Sequence, residues 1–210
     1  KHAMTDAPRP AAHVSEQEAR AVAEASRETT WEAPSFVREL FLGTLDLGLV
    51  HPYPEPDAEE QKRASEFLGK LEAFLRDHVD GEQIERDARI PDSVIDGLRA
   101  LGAFGIKIPR EYGGLGLSQY TYCRAMSLIS TVNSSVVALL SAHQSIGVPG
   151  PVKMFGTEEQ KKRLLPRLAK GAISAFALTE NEVGSDPARM TTTAMPTSDG
   201  SAYLLNGEKL

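Results

Sequence analysis

The sequence has 210 residues, 41% hydrophobic and 25% charged, enough to bury the core of one large domain or of one domain and part of another. Its formal net charge is -6 and no block of Lys and Arg stands out, which argues against nucleic acid or an anionic bilayer as a partner. The single cysteine, Cys123, excludes an intrachain disulfide and a cysteine-based metal cage and fits a reducing, cytoplasmic compartment.

Lys1-His2-Ala3 ahead of Met4 reads as a cloning remnant, and no secretory apolar core follows it. Residues 5–13 are rich in Pro and Ala with little to bury, so residues 1–30 are expected to be a flexible segment. Within it, Ser15 and Glu18 have the spacing that starts a polar helix. An extension and linker, residues 31–56, follows. Pro34 and the apolar Phe36, Val37, Leu40 and Phe41, closed by Gly43, predict a short amphipathic helix whose stripe needs a partner surface. Pro52, Pro54 and Pro56 then break the chain.

Asp57 with Glu60 repeats the capping arrangement and predicts a long helix to about Val79, with Ala64, Phe67, Leu68, Leu71, Phe74 and Leu75 as its buried stripe. Further helices are predicted from Pro91 to Leu101, closed by Gly102, from Ser118 to about Val132, from Ser134 to about Ile146, and from Thr157 to Ala169. Residues 57–171 therefore read as a helical domain. The longest apolar run, Val136 to Leu140, is far short of the roughly 20 residues that cross a bilayer. At Gly171 the period changes. Ile173 to Leu178 reads as a strand, and Met190 to Ala194 and Tyr203 to Leu205 flank a turn at Ser198-Asp199-Gly200. Residues 172–210 look like the start of a β-domain, an α+β class overall. Two or three strands cannot stand alone, so the chain reads as cut inside that domain.

The segment Phe176-Ala177-Leu178-Thr179-Glu180-Asn181-Glu182-Val183-Gly184-Ser185-Asp186 carries the chemistry. A strand running into a loop of small and hydroxyl residues can present backbone amides to an anion. Gly184 permits close approach and the hydroxyls of Thr179 and Ser185 offer directed hydrogen bonds. Gly-Ser-Asp is also an ordinary turn and Thr-Glu ends many strands, so residue chemistry leaves both readings open. His143, between apolar positions with no second ligand at metal spacing, reads as a packed structural residue. Glu158, Glu159, Lys161, Lys162 and Arg163 read as the solvated face of a helix.

In order and residue type, the 176–186 segment resembles the flavin-binding signature of the acyl-CoA dehydrogenase family. Leu101-Gly102-Ala103-Phe104-Gly105 through Tyr112-Gly113-Gly114-Leu115-Gly116 is similar to that family's loop between early helices. Ala142-His143-Gln144-Ser145-Ile146-Gly147, with Phe155-Gly156-Thr157 and Leu165-Pro166, resembles its very-long-chain members, as does, more weakly, Trp31 to Pro54. The resemblance covers about residues 60–210. It departs at Asn181, Glu182 and Val183, where the family has Pro and small residues.

What the resemblance implies is an FAD-dependent oxidoreductase that introduces an α,β double bond into a fatty acyl-CoA, a long-chain one by its nearest likeness. Phe176, Ala177, Leu178, Thr179, Glu180, Gly184 and Ser185 would be cofactor-binding, with Ser185 also touching substrate. It implies a homodimer or homotetramer, an electron-transfer flavoprotein as acceptor, and a flavin between the β-domain and a C-terminal helical bundle. The family's catalytic Glu lies in that later part, so no catalytic residue and no metal ligand is assigned, and Glu180 is part of the flavin-binding segment. An acyl-CoA oxidase or flavin monooxygenase of the same fold is an alternative, as is a non-catalytic helical interaction module should the chain end at Leu210.

Overall fold

The computed structural model describes residues 15–25, 34–53 and 55–210, with the side chain of Ala23 excepted. Residues 1–3, the Pro/Ala segment 5–13, Trp31 and Pro54 lie outside the described residues. Two compact units are present, one of residues 51–176 and one of the described parts of 1–50 with 177–210.

Helix α1 (Glu16–Ala25) starts on a reciprocal cap: the Glu18 N–H donates to Ser15 Oγ at 3.2 Å and the Ser15 N–H donates to Glu18 Oε2 at 2.8 Å. Helix α2 (Phe36–Phe41) is capped by Ser35 and followed by Gly43 at φ 87°, a conformation that favours glycine. Of its expected stripe, Val37, Leu40 and Phe41 are exposed.

Helix α3 (Ala58–His78) begins where Asp57 Oδ1 accepts the Glu60 N–H at 2.7 Å. The second half of the expected capping arrangement is diverted. Glu60 Oε1 instead accepts the Ser118 N–H at 2.7 Å and the Thr121 hydroxyl at 3.4 Å, which ties α3 to the start of a helix nearly 60 residues on. Helix α4 (Gly81–Asp87), absent from the sequence-based expectation, is capped by Asp80 and buries Ile84. Helix α5 (Asp92–Ala100) buries Val94 and Leu98 and stops at Gly102, φ 74°.

Helix α6 (Gln119–Ser130) buries Tyr122, Ala125 and Ile129. Helix α7 (Ser134–Ser141) is opened by Asn133 Oδ1, which accepts the Ser135 and Val136 N–H groups at 2.9 and 3.1 Å, and it runs into a π turn at Ala142–Ile146. The expected single helix to Ile146 therefore changes pitch at its last turn. Helix α8 (Pro149–Phe155), also unforeseen, has its proline in the first turn, and α9 (Glu158–Ala169) carries the expected Thr157–Gln160 capping box.

Helices α3 to α7 close over one core, in which Leu71, Leu98, Phe104, Ile129 and Leu140 are fully buried. Each such side chain contributes about 1.5–3 kcal/mol relative to an exposed one. A smaller core joins Ile108 to Leu165, Leu168 and Ala169. The loop between them folds back on itself: Gly105 O accepts the Leu115 N–H at 2.9 Å, Ile106 O the Leu117 N–H at 2.8 Å, and Ile108 O the Gly116 N–H at 2.9 Å. A Cβ on Gly114 would stand 2.1 Å from Ile108 O, which explains glycine there by close approach.

Strands β1 (Thr193–Pro196) and β2 (Tyr203–Asn206) pair antiparallel, with Thr193 opposite Asn206 and Pro196 opposite Tyr203, across the expected turn. The fold class is α+β as expected, helices followed by the opening of a β region. The strand expected at Ile173–Leu178 is not formed. A strand needs a ladder, and here the polar backbone atoms turn to side chains: the Ser174 N–H donates to His143 Nδ1 at 3.2 Å and Leu178 O accepts from Lys209 Nζ at 3.0 Å. Similarly, β1 starts three residues after Met190 because the Thr191 and Thr192 N–H groups are taken by Glu180. Among the described residues no helix is long and apolar enough to cross a membrane.

Candidate functional site

The 176–186 segment is organised by its one buried carboxylate. Glu180 Oε2 accepts the Thr191 N–H and hydroxyl, both at 2.7 Å, and Oε1 accepts the Thr192 N–H at 3.0 Å, the Thr192 hydroxyl at 2.6 Å and Lys209 Nζ at 2.9 Å. With Glu180 only 5% exposed, these bonds substitute for its lost water. The Thr192 hydroxyl first, then Lys209 and the Thr191 donors, hold its carboxyl well below the usual carboxylate range. A carboxylate so stabilised in its charged form is a poor proton acceptor, so Glu180 serves as a clamp.

Immediately after it, the Glu180 N–H donates to Val183 O at 2.9 Å and the Val183 N–H returns to Glu180 O at 3.1 Å. The departure from the family pattern at Asn181 and Glu182 is thus a two-residue turn, seated by the buried Val183. Asp186 accepts from the exposed Arg20 of α1, a solvated pair that adds little stability.

The other expected cofactor residues are open. Phe176, the last residue of the helical unit, is 58% exposed; in the second unit Ala177, Thr179, Gly184 and Ser185 are exposed and Leu178 is half-buried. Among the described residues, the hydroxyls of Thr179 and Ser185 and the N–H groups of Thr179, Gly184 and Ser185 have no hydrogen-bond partner. A Cβ on Gly184 would meet nothing within 4 Å, so the fold itself does not require glycine there. Free donors and open space beside a fixed loop can take an anion or the polar edge of a ligand.

In the helical unit, His143 and Gln144 of the Ala142–Gly147 motif are buried, while Ser145 and Ile146 are exposed. His143 is fully buried; its Nε2 lies 3.1 Å from Phe104 O, and its Nδ1 accepts the Ser174 N–H. A carbonyl on one side and an N–H on the other fix the neutral tautomer with the proton on Nε2. Burial pushes its pKa down, and protonation of Nδ1 would set two donors face to face. His143 is structural, as its sequence context indicated. Gln144, which sequence reasoning passed over, accepts the Ile106 N–H at 3.0 Å and donates to Ala103 O at 2.9 Å. Its signal was a buried amide at the end of an apolar helix. Lys209, Thr191 and Thr192 were likewise missed, since their shared partner is visible only in space.

Residues 59–172 match the model of the acyl-CoA dehydrogenase N-terminal domain, and the chain belongs to the acyl-CoA dehydrogenase family. Among curated relatives, "Probable acyl-CoA dehydrogenase FadE10" of Mycobacterium tuberculosis is 60% identical over 197 residues, which are 94% of this chain and 30% of that protein. The mouse "Very long-chain specific acyl-CoA dehydrogenase, mitochondrial" is 39% identical over 181 residues, 85% of this chain and 27% of that one. Among solved structures, an acyl-CoA dehydrogenase complexed with FAD from Bacillus anthracis superposes with a TM-score of 0.59 at 30% identity, covering 74% of this chain and 26% of its own. The chain spans about 30% of the length of the curated relatives it matches.

Proposed function

We propose that the protein is an FAD-dependent oxidoreductase that introduces an α,β double bond into a long-chain fatty acyl-CoA. The observation that carries this reading is the contrast inside one loop: Glu180 is buried and fully bonded, while Thr179, Gly184 and Ser185 in the same unit are exposed with unpaired donors. Family membership gives that contrast its chemical meaning. The preference for a long chain leans on the likeness to the very-long-chain enzyme of the mouse.

In this reading Phe176 offers a ring to the flavin, Ala177, Leu178 and Thr179 line its edge, and Gly184 and Ser185 hold the end of the loop against it, with Ser185 also reaching substrate. Glu180 keeps the loop in place through Thr191, Thr192 and Lys209. Bound FAD supplies the two-electron acceptor for the oxidation. Removal of the α-proton needs a base of matched pKa, and Glu180 is unsuited to it. An electron-transfer flavoprotein as the next acceptor and a homodimer or homotetramer complete the proposal.

Gly184→Ala separates this role from a structural one. Because the added methyl enters open space, the variant keeps its unfolding free energy within about 0.5 kcal/mol. Its affinity for FAD, followed by quenching of flavin fluorescence, falls about tenfold as the methyl holds the loop off the ligand. A variant that bound FAD as tightly as the unmodified protein would remove the loop from the cofactor site.

A further inference from the structure

A second site lies within the helical unit. Lys107, Lys153, Gln144 and Ser145, with Ile108 and Pro149, line a cavity of about 170 Å³. That is below the roughly 300 Å³ at which pockets begin to take whole cofactors, and suits a single small group.

Its charge is one-sided. Lys107 and Lys153 form no ion pair among the described residues, and no carboxylate lines the cavity. Lys107 is also held in place. It is half-buried, its Nζ donates to Gln119 Oε1 at 3.0 Å, and it sits 4.3 Å from the centroid of the Tyr122 ring. Burial, and then the charge of Lys153, push its pKa down, the signature of an ammonium short of a counter-ion.

A neutral donor completes the set. Ser145 Oγ and the Tyr122 hydroxyl are 2.7 Å apart, and a bond between two hydroxyls uses one of their two protons. With the more acidic phenol donating, the Ser145 proton is free for a ligand in the cavity. Two lysines without a carboxylate partner and a serine hydroxyl, all lining one small cavity, are the donor types that a tetrahedral oxyanion requires.

We propose that Lys107, Lys153 and Ser145 bind a phosphate group. The same chemistry admits two sources, free phosphate and a phosphate of coenzyme A, and only the second rests on the acyl-CoA reading above.

The test is isothermal titration of the protein with inorganic phosphate, coenzyme A and pantetheine, repeated on Lys107→Gln and Lys153→Gln. Each substitution is expected to weaken phosphate binding about tenfold, with pantetheine, which lacks phosphate, unaffected. Coenzyme A binding that weakens in parallel assigns the site to the coenzyme. Binding confined to inorganic phosphate supports the site and assigns it to the free anion. Lys153→Gln is the decisive variant, since Lys153 is exposed and bonded to nothing described, so its loss leaves the fold intact. Unchanged affinity for both phosphate ligands in both variants, or no binding by the unmodified protein, overturns the proposal. Neither result bears on flavin reduction by acyl-CoA, which tests the function separately.

Discussion

Alanine at position 114 is expected to lower the unfolding free energy of the helical unit by about 3 kcal/mol. The new Cβ would stand 2.1 Å from Ile108 O and 2.6 Å from both Ile108 C and Ile108 Cβ. Two of these three atoms are backbone, so no rotamer change relieves the contact. Nor can Ile108 withdraw cheaply: its carbonyl accepts the Gly116 N–H and its side chain belongs to the core with Leu165 and Leu168. Urea denaturation of Gly114→Ala reads the loss directly. A midpoint equal to that of the unmodified protein would show that the loop does not pack as described.

Gln144→Ala is expected to cost a comparable amount, about 2–4 kcal/mol. The side chain is 2% exposed, and its amide is the partner of both the Ile106 N–H and Ala103 O. Ala103 and Ile106 are themselves fully buried, so water cannot replace the lost bonds at the surface. Hydrogen exchange localises the effect: the Ile106 amide loses protection more than amides of α3. If Ile106 stayed protected as before, Gln144 would not be the tie between the π turn and the 103–106 segment.

Much of the helical structure could be read because its signals are local. Ser15 with Glu18, and Thr157 with Gln160, cap helices within one turn of themselves, and the buried stripe of α3 repeats over about three turns. Helices α4 and α8 escaped because each is seven residues long and buries one residue, Ile84 or Pro149, which leaves no period to detect. Glu60 shows the limit of local rules. Its spacing from Asp57 is that of a capping pair, yet Ser118 and Thr121, distant in sequence, win its carboxylate.

The strand expected at Ile173–Leu178 failed for a related reason. An apolar run such as Ile173 to Leu178 has the composition of a strand, but a strand exists only where another strand answers its amides. Glu180 withdraws the Thr191 and Thr192 amides from the ladder and so decides where β1 begins. The candidate cofactor segment was singled out by the order of its residue types. That Glu180 would be buried among five donors while its neighbours stayed open was not legible, because those donors come from residues 191, 192 and 209.

The central claim is that this protein oxidises acyl-CoA through a flavin, and the anaerobic visible spectrum tests it most directly. The purified protein is supplied with FAD, freed of excess, and mixed with palmitoyl-CoA. The expected result is a bound flavin band that bleaches on addition of the thioester. A protein that retains no FAD, or a bound flavin whose band is unchanged by palmitoyl-CoA, would contradict it.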